Sequence, residues 1–289
     1  TVYKRYDYKS VDDTRTTRLP EQLRYLKSDQ TTSMLRYNCG YDNMNNITSV
    51  IVTREDGSMK IESIYKYDKY GKLTSSTVNG TNYVYVYDNT GNVTEIRRTV
   101  NGSTSTKTLT YDTETGWRDR LVAVDGHEIS YASNAPGLPV SYYNGNSYTF
   151  EWKGTGGELT RSVGNGITSL YRYDYSGLRK MKTSKGVIHS YYYDGDRLTA
   201  EKLNTSKYIL YHYNENESIY SITYNNGTSS TKYYLLKNIQ GDVTEIRDIS
   251  NNLVARYSYD AWGNVLSVTD SAGKAITSET HIANINPIR

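Results

Sequence analysis

One cysteine, one phenylalanine, four prolines and four histidines are all that 289 residues hold of those types. A single thiol excludes an intramolecular disulfide framework and leaves the redox compartment open. No neighbouring motif would activate Cys39, so it reads as a buried or half-buried structural thiol and not as a nucleophile. His127, His189, His212 and His281 are scattered, and none stands at a metal spacing such as His-x-x-x-His, so all four read as ordinary surface or strand-end residues. No apolar stretch approaches the roughly 18 residues that would span a bilayer. Thr1-Val2-Tyr3-Lys4-Arg5 does not form a signal peptide, so the chain is expected to start inside something larger or to be a mature fragment. Charge of one sign is lacking too. Against 34 Lys and Arg stand 31 Asp and Glu, for a net charge of +3, and no basic run exceeds Arg97-Arg98 or Arg179-Lys180. Nothing here predicts a nucleic-acid partner.

What the chain has in excess is tyrosine, 32 residues of it, set in a recurring signature. Tyr67-Asp68-Lys69-Tyr70-Gly71-Lys72-Leu73-Thr74 is matched by Tyr87-Asp88-Asn89-Thr90-Gly91-Asn92-Val93-Thr94 and by Tyr259-Asp260-Ala261-Trp262-Gly263-Asn264-Val265. Further pairs are Tyr41-Asp42, Tyr111-Asp112, Tyr173-Asp174 with Gly177, and Tyr193-Asp194; successive copies stand about twenty residues apart, with insertions. Weaker copies lie at Tyr131, from Trp152 to Leu159, at Tyr213-Asn214 and from Lys237 to Thr244, where Gln240-Gly241-Asp242 takes the turn. Self-similarity at a short period indicates an array of one small supersecondary unit.

The unit reads physically as a hairpin. Tyr83, Tyr85 and Tyr87 alternate with other residues, which is what a strand with one ring-bearing face looks like. The strand is expected to end at each Asp, whose side chain can hydrogen-bond its own backbone two residues on, and the following Gly supplies a positive φ. An apolar residue followed by Thr then restarts the extended conformation, as at Ile47-Thr48, Leu73-Thr74, Val93-Thr94, Leu198-Thr199 and Val243-Thr244. Between signatures lie Asn79-Gly80, Asn101-Gly102, Asn144-Gly145, Asn165-Gly166 and Asn226-Gly227, the strongest short-range hairpin signal. Two turns per unit imply two strands per unit, hence an all-β fold of repetitive antiparallel hairpins in one long meandering sheet. With 36% hydrophobic residues and a mean hydropathy of -0.73 the chain is too polar for a conventional dense core, so stability is expected from stacking of units side by side.

Chemistry is sparse. The Asp of each pair, and Asp194-Gly195-Asp196, could suggest calcium, but calcium loops need several oxygen ligands in one short segment and here the acids come one per turn. Gly154-Thr155-Gly156-Gly157 resembles a phosphate cradle only superficially and reads as a turn. Asn-x-Ser/Thr sequons at Asn46, Asn79, Asn92, Asn101, Asn204, Asn216 and Asn226 are expected by chance in so polar a chain. No catalytic residue, no metal ligand and no cofactor-binding residue is assigned. Rings such as Trp117 or Trp152 could form a sugar-stacking surface, but in a Tyr-rich sheet rings are more often cross-strand pairs.

The repeated Tyr-Asp-x-x-Gly-x-Leu/Val-Thr unit closely resembles the YD repeats of bacterial Rhs and wall-associated polymorphic toxins, of insecticidal toxin-complex shell components and of animal teneurins. The C-terminal stretch carries the most specific part of the likeness. Tyr233 to Val243, Tyr257 to Val265 and Ala283-Asn284-Ile285-Asn286-Pro287-Ile288-Arg289 resemble the approach to the Rhs-associated core. The resemblance implies a degenerate leading repeat over 1–40, with Tyr6-Asp7 as a worn copy, a repeat array over 41–270, and entry to the core motif over 271–289. It also implies a β-sheet spiral that closes as a shell around a C-terminal toxin cargo of the same parent chain. The self-cleaving aspartyl protease of such relatives carries an Asp-Pro signature, and this chain has no Asp-Pro, so no catalytic residue is carried over. About ten units would give only part of a shell, a curved wall with exposed strand edges at both ends. The expected role is structural and non-enzymatic, in a larger secreted or cell-surface protein. The alternative is a surface adhesin that binds glycans or a partner protein through its Tyr and Trp rings.

Overall fold

The computed structural model describes residues 2–12, 14–153 and 156–289, with the backbone alone at residue 61. Gly154 and Thr155 of the glycine-rich stretch lie outside the described residues.

Strands follow one another as the alternation of rings and turn residues requires. An eleven-stranded sheet runs from Tyr3–Ser10 to His127–Glu128, a two-stranded pair joins Tyr131–Ala132 to Ala135–Pro139, and a thirteen-stranded sheet runs from Ser141–Tyr143 to Val265–Thr269. Within each sheet every strand pairs antiparallel with its neighbour in sequence, so the chain is an all-β meander. Among the described residues the one helix is Ile282–Ile285.

The ladder is not the single continuous sheet expected. It breaks on either side of the Tyr131 copy, where Pro136 and Pro139 remove backbone donors, and prolines are confined to edges and irregularities of a sheet for that reason. Isolated bonds of Ser130 carry the chain across the break: its carbonyl accepts from Val140 N–H at 2.8 Å and its own N–H donates to Ser141 Oγ at 2.9 Å.

Strand twist accumulates along the ribbon, and the ribbon curls until strands near its start pack against strands near its end. Leu23, Met34, Leu35, Tyr37, Val50 and Val52 form a buried cluster that includes Leu236. The Tyr25 hydroxyl bonds the backbone of Lys237, and the Tyr37 hydroxyl pairs with Thr244 Oγ1. A second cluster gathers Ile209, Ile222, Leu235, Ile246 and Tyr257. The expectation of a chain without a dense core is corrected here, because the curl builds one between segments that are each half-polar. Each fully buried Leu or Ile contributes about 1.5–3 kcal/mol, against roughly 0.5–1.5 kcal/mol net for a hydroxyl hydrogen bond, so these clusters outweigh any single tyrosine contact.

The C-terminal stretch covers one end of the ribbon. Thr269 bridges to Ala275 and Ile276 N–H reaches the Val268 carbonyl at 2.9 Å, which occupies part of the last strand's free edge. Ile282 and Ala283 are buried, with Tyr257 donating to the Ala283 carbonyl at 2.6 Å. Asn286 is buried and closes on Ile288 through both its side-chain groups. The first strand, Tyr3–Ser10, pairs on one side only.

Candidate functional site

The repeated turn has a definite architecture. At Asp68 the carboxylate Oδ1 accepts from Tyr70 N–H at 2.8 Å and Lys72 N–H at 2.9 Å, while the Asp68 carbonyl accepts from Gly71 N–H at 3.0 Å. Gly71 has φ +80°, a conformation that a side chain would strain. The same pair of backbone amides binds Asp42, Asp88, Asp174 and Asp260, and also Asn214, Asp248 and Asp270. Asn46, Asn92 and Asn264 donate from their side chains to the second carboxylate oxygen of their Asp. These hydrogen bonds favour the carboxylate form. The Lys72 backbone amide holds Asp68 below its ordinary value, and the side chains of Asn46, Thr90 and Ser176 do so first for Asp42, Asp88 and Asp174.

Two members depart from the pattern. Asp112 heads a longer turn, where it binds Glu114 and Thr115 amides and pairs with the Arg120 guanidinium. Asp194 lies at the last position of its strand, opposite Arg197 across the two residues Gly195 and Asp196, and its side chain pairs with Arg197 at 3.1 Å. Here the strand ends at the Asp itself, as expected, whereas in the copies at Tyr67, Tyr87 and Tyr173 it ends one residue earlier, at the Tyr. The shorter loop leaves no following backbone amides for the carboxylate to cap.

All but one of the signature tyrosines clamp one unit to another. The hydroxyls of Tyr41, Tyr67, Tyr87 and Tyr111 donate to the carbonyls of Pro20, Ile47, Leu73 and Val93, at 2.7–3.1 Å. Tyr131, Tyr193, Tyr213 and Tyr259 reach Leu121, Arg179, Leu198 and Val243 likewise, at 2.6–2.9 Å. Most of these acceptors are the residue that restarts the strand in the preceding unit. Trp152 fills the same slot and donates its indole N–H to the Pro139 carbonyl at 2.7 Å, so this ring is engaged internally. Tyr173 instead meets Arg179, at 3.5 Å. Trp117 is 43% exposed, with the Arg120 guanidinium 5.7 Å from its ring.

The Thr after the apolar residue has a role that its β-propensity did not announce. Pairing of Lys66 with Ser75 and of Tyr67 with Leu73 leaves Thr74 as the extra residue of a β-bulge. The hydroxyl of Thr74 returns to the Lys66 carbonyl at 3.1 Å, and Thr94, Thr160, Thr199 and Thr244 do the same to Val86, Glu151, Tyr192 and Leu236.

The second turns also differ in detail. Asn79-Gly80 takes φ of 48° and 79°, the two positive values of a tight hairpin turn, whereas at Asn144-Gly145 and Asn226-Gly227 only the glycine is positive. Asp125-Gly126 and Lys185-Gly186 adopt the tight form without having been singled out; an Asp-Gly signal was available for the first, none for the second.

Other candidates are structural. Cys39 is 8% exposed and burial pushes its thiol up to about 12, which leaves it protonated and inert. His127 stacks on Tyr143 with ring centroids 3.7 Å apart, His212 bonds Thr223, and His281 caps the short helix. His189 pairs with buried Glu201, whose other oxygen accepts from Tyr211 at 2.8 Å. Sequence reasoning missed this network, since its members are brought together only across three strands. It also missed buried Glu245, which binds Arg247 twice and Arg256 once. Among the described residues no three His, Cys, Asp or Glu side chains gather as a metal site.

The array of clamped hairpins has counterparts. The family model described as Teneurin YD-shell matches residues 14–274. The tRNA3(Ser)-specific nuclease WapA of Bacillus spizizenii is 30% identical over 205 residues, 68% of this chain and 8% of that protein. The tRNA nuclease WapA of Bacillus subtilis (strain 168) is 29% identical over 207 residues, again 68% of this chain and 8% of that protein. The chain therefore spans 8% of the length of these relatives. Among solved structures, the crystal structure of TcdB2-TccC3-Cdc42 superposes with a TM-score of 0.70 at 16% identity, covering 93% of this chain and 15% of that one. A Tc holotoxin pore of Photorhabdus luminescens gives 0.69 at 15% identity, covering 100% of this chain and 15% of that one, and at such identities the likeness is one of fold. Family match, repeat geometry and fold agree, and the chain belongs to the Teneurin YD-shell family as a segment of a shell.

Proposed function

We propose that this segment is a non-enzymatic wall of a larger secreted or cell-surface toxin protein, and that the wall encloses a C-terminal toxin cargo of the same parent chain until delivery. Residues 1–40 serve as a leading, degenerate repeat, 41–270 as the array and 271–289 as the approach to the core that follows in Rhs-type proteins. The Tyr-Asp pairs and turn glycines are its structural determinants.

The observation that carries this reading is the curl. A meander whose start packs on its end through Tyr25, Tyr37 and Leu236 supports the reading of a wall that bends round an interior. Containment needs no affinity for the contents. A cargo walled off by sheet is kept from proteases and from the producing cell by exclusion alone, and lateral clamping such as Tyr67 to Ile47 keeps the wall from parting between units. The nuclease names of the curated relatives and the holotoxin likeness support a toxin setting.

The test uses the parent protein. Its C-terminal segment should resist protease while the wall is native, and should be digested once the seam is opened by replacing Tyr25 and Tyr37 together with Ala. Equal digestion of the C-terminal segment in both would overturn enclosure.

A further inference from the structure

At the strand end where Tyr213 and Tyr259 present a ring to the preceding unit, the unit between them presents Lys237. Lys237 Nζ donates to Ser218 Oγ at 3.0 Å, so a cation reaches back to the preceding unit in place of a phenol, and to a side-chain hydroxyl in place of a backbone carbonyl. The substitution is costly in a way a tyrosine would not be. Burial disfavours the ammonium and Lys4 repels it, so its pKa falls below the ordinary lysine value.

Ser218, Lys237 and Lys4 line one pocket of about 340 Å³, walled by the rings of Tyr25, Tyr213, Tyr220 and Tyr234. That volume lies within the range of small-molecule sites, about 300–1,000 Å³. None of its lining residues is acidic. A third cation lies against two of its walls: Lys232 Nζ is 5.7 Å from the Tyr220 ring centroid and 5.6 Å from that of Tyr234. Among the described residues the lysines that pair with a carboxylate are Lys27, Lys153 and Lys185, and none of the three at this pocket is among them.

Two ammoniums in the lining and a third against two of the four phenol rings, with no carboxylate in the lining, make a concavity of positive potential and apolar walls. Such a site has two complementary demands: a negative charge for the lysines, and a flat apolar body for the rings. We propose that this pocket binds an aromatic carboxylate, its ring among the tyrosines and its carboxylate between Lys237 and Lys4. The assignment is independent of whether the wall encloses a cargo.

Calorimetric titration of the 289-residue chain with indole-3-acetate and with neutral indole-3-acetamide separates charge from shape. The acid is expected to bind roughly tenfold or more tightly than the amide, the usual consequence of losing a hydrogen bond to a charged group. A parallel pair, a short peptide ending in Phe with a free or an amidated C-terminus, distinguishes a free acid from a polypeptide end as the source of the same chemistry. Lys237→Met and Lys4→Gln should each bring the acid down to the affinity of the amide. Lys4 stands on the exposed edge strand, so Lys4→Gln decides the matter even if Lys237→Met fails to fold. Absence of binding by both acids, equal binding of acid and amide, or full acid affinity in Lys4→Gln would each overturn the assignment.

Discussion

The Tyr25 hydroxyl holds both backbone groups of Lys237, accepting from its N–H at 2.8 Å and donating to its carbonyl at 3.0 Å. One phenol thereby joins two strands 212 residues apart. The ring itself is 5% exposed, and burial raises its pKa, so the hydroxyl stays protonated and available for both bonds.

Replacing Tyr25 with Phe keeps the packing and removes both bonds. Leaving the half-buried Lys237 backbone groups without these partners should cost about 1 kcal/mol or more, read as a lower urea midpoint, together with faster exchange of the Lys237 amide. Tyr70→Phe, at a ring 71% exposed, is the control. Equal midpoints for the two variants would show that the seam does not depend on this contact.

Tyr37 and Thr244 form the second join, deeper in the same seam. The Tyr37 hydroxyl pairs with Thr244 Oγ1, which also reaches the Leu236 carbonyl at 3.2 Å. Thr244→Val should strand a buried phenol and cost about 1–3 kcal/mol. Tyr37→Phe in the same chain removes the stranded group, so the double variant should be more stable than the additive sum, with a coupling of roughly 0.5–3 kcal/mol. Additive single-variant effects in a denaturation cycle would contradict the pairing.

The turn and the period were legible in the sequence because both are local. An Asp that binds amides two and four residues ahead, and a glycine at positive φ, need nothing from the rest of the chain, as Asp68 and Gly71 show. The clamp was half legible: the alternation of Tyr83, Tyr85 and Tyr87 gives the ring face, but the carbonyl that Tyr87 reaches belongs to Leu73 in the unit before. The seam was not legible at all. Whether Tyr25 meets Lys237 is set by twist summed over many strands, and a small change per strand would move the two apart. Composition misled about the core for the same reason, since Leu23 and Leu236 are buried by a partner that local sequence does not name. The bulge at Thr74 hid behind an ordinary strand-former, and Lys237 behind a worn repeat.

Acid should loosen the turns. Asp42, Asp68, Asp88 and Asp174 all have carboxyls held below their ordinary value by the hydrogen bonds of the turn. A lowered pKa in the folded chain means a stabilisation that is present above the unfolded value, about 3.9, and is lost as pH falls through the folded values. The urea midpoint should therefore decline below about pH 4. Asp88→Asn, which keeps an acceptor but cannot titrate, should flatten part of that decline. An unchanged acid limb in this variant would remove Asp88 from the explanation.

Glu62 has the opposite sign and gives the sharper experiment. It lies beside the seam, close enough to Glu245 to feel its charge, and burial raises its pKa more than Arg54, Lys60 and Arg256 lower it. A raised pKa means that the contribution to stability is fully present below the unfolded value, about 4.3, and is lost as pH climbs through the folded one. At neutral pH the charged Glu62 therefore works against the fold. Glu62→Gln should raise the urea midpoint at pH 7 and leave it nearly unchanged at pH 3, where the native side chain is protonated as well. Since the neighbouring Arg54 and Arg256 lose a counter-charge in the variant, a midpoint that falls at pH 7 would show that ion pairing, not burial, dominates at this position, and the seam would then be held by charge where the present geometry assigns it to packing.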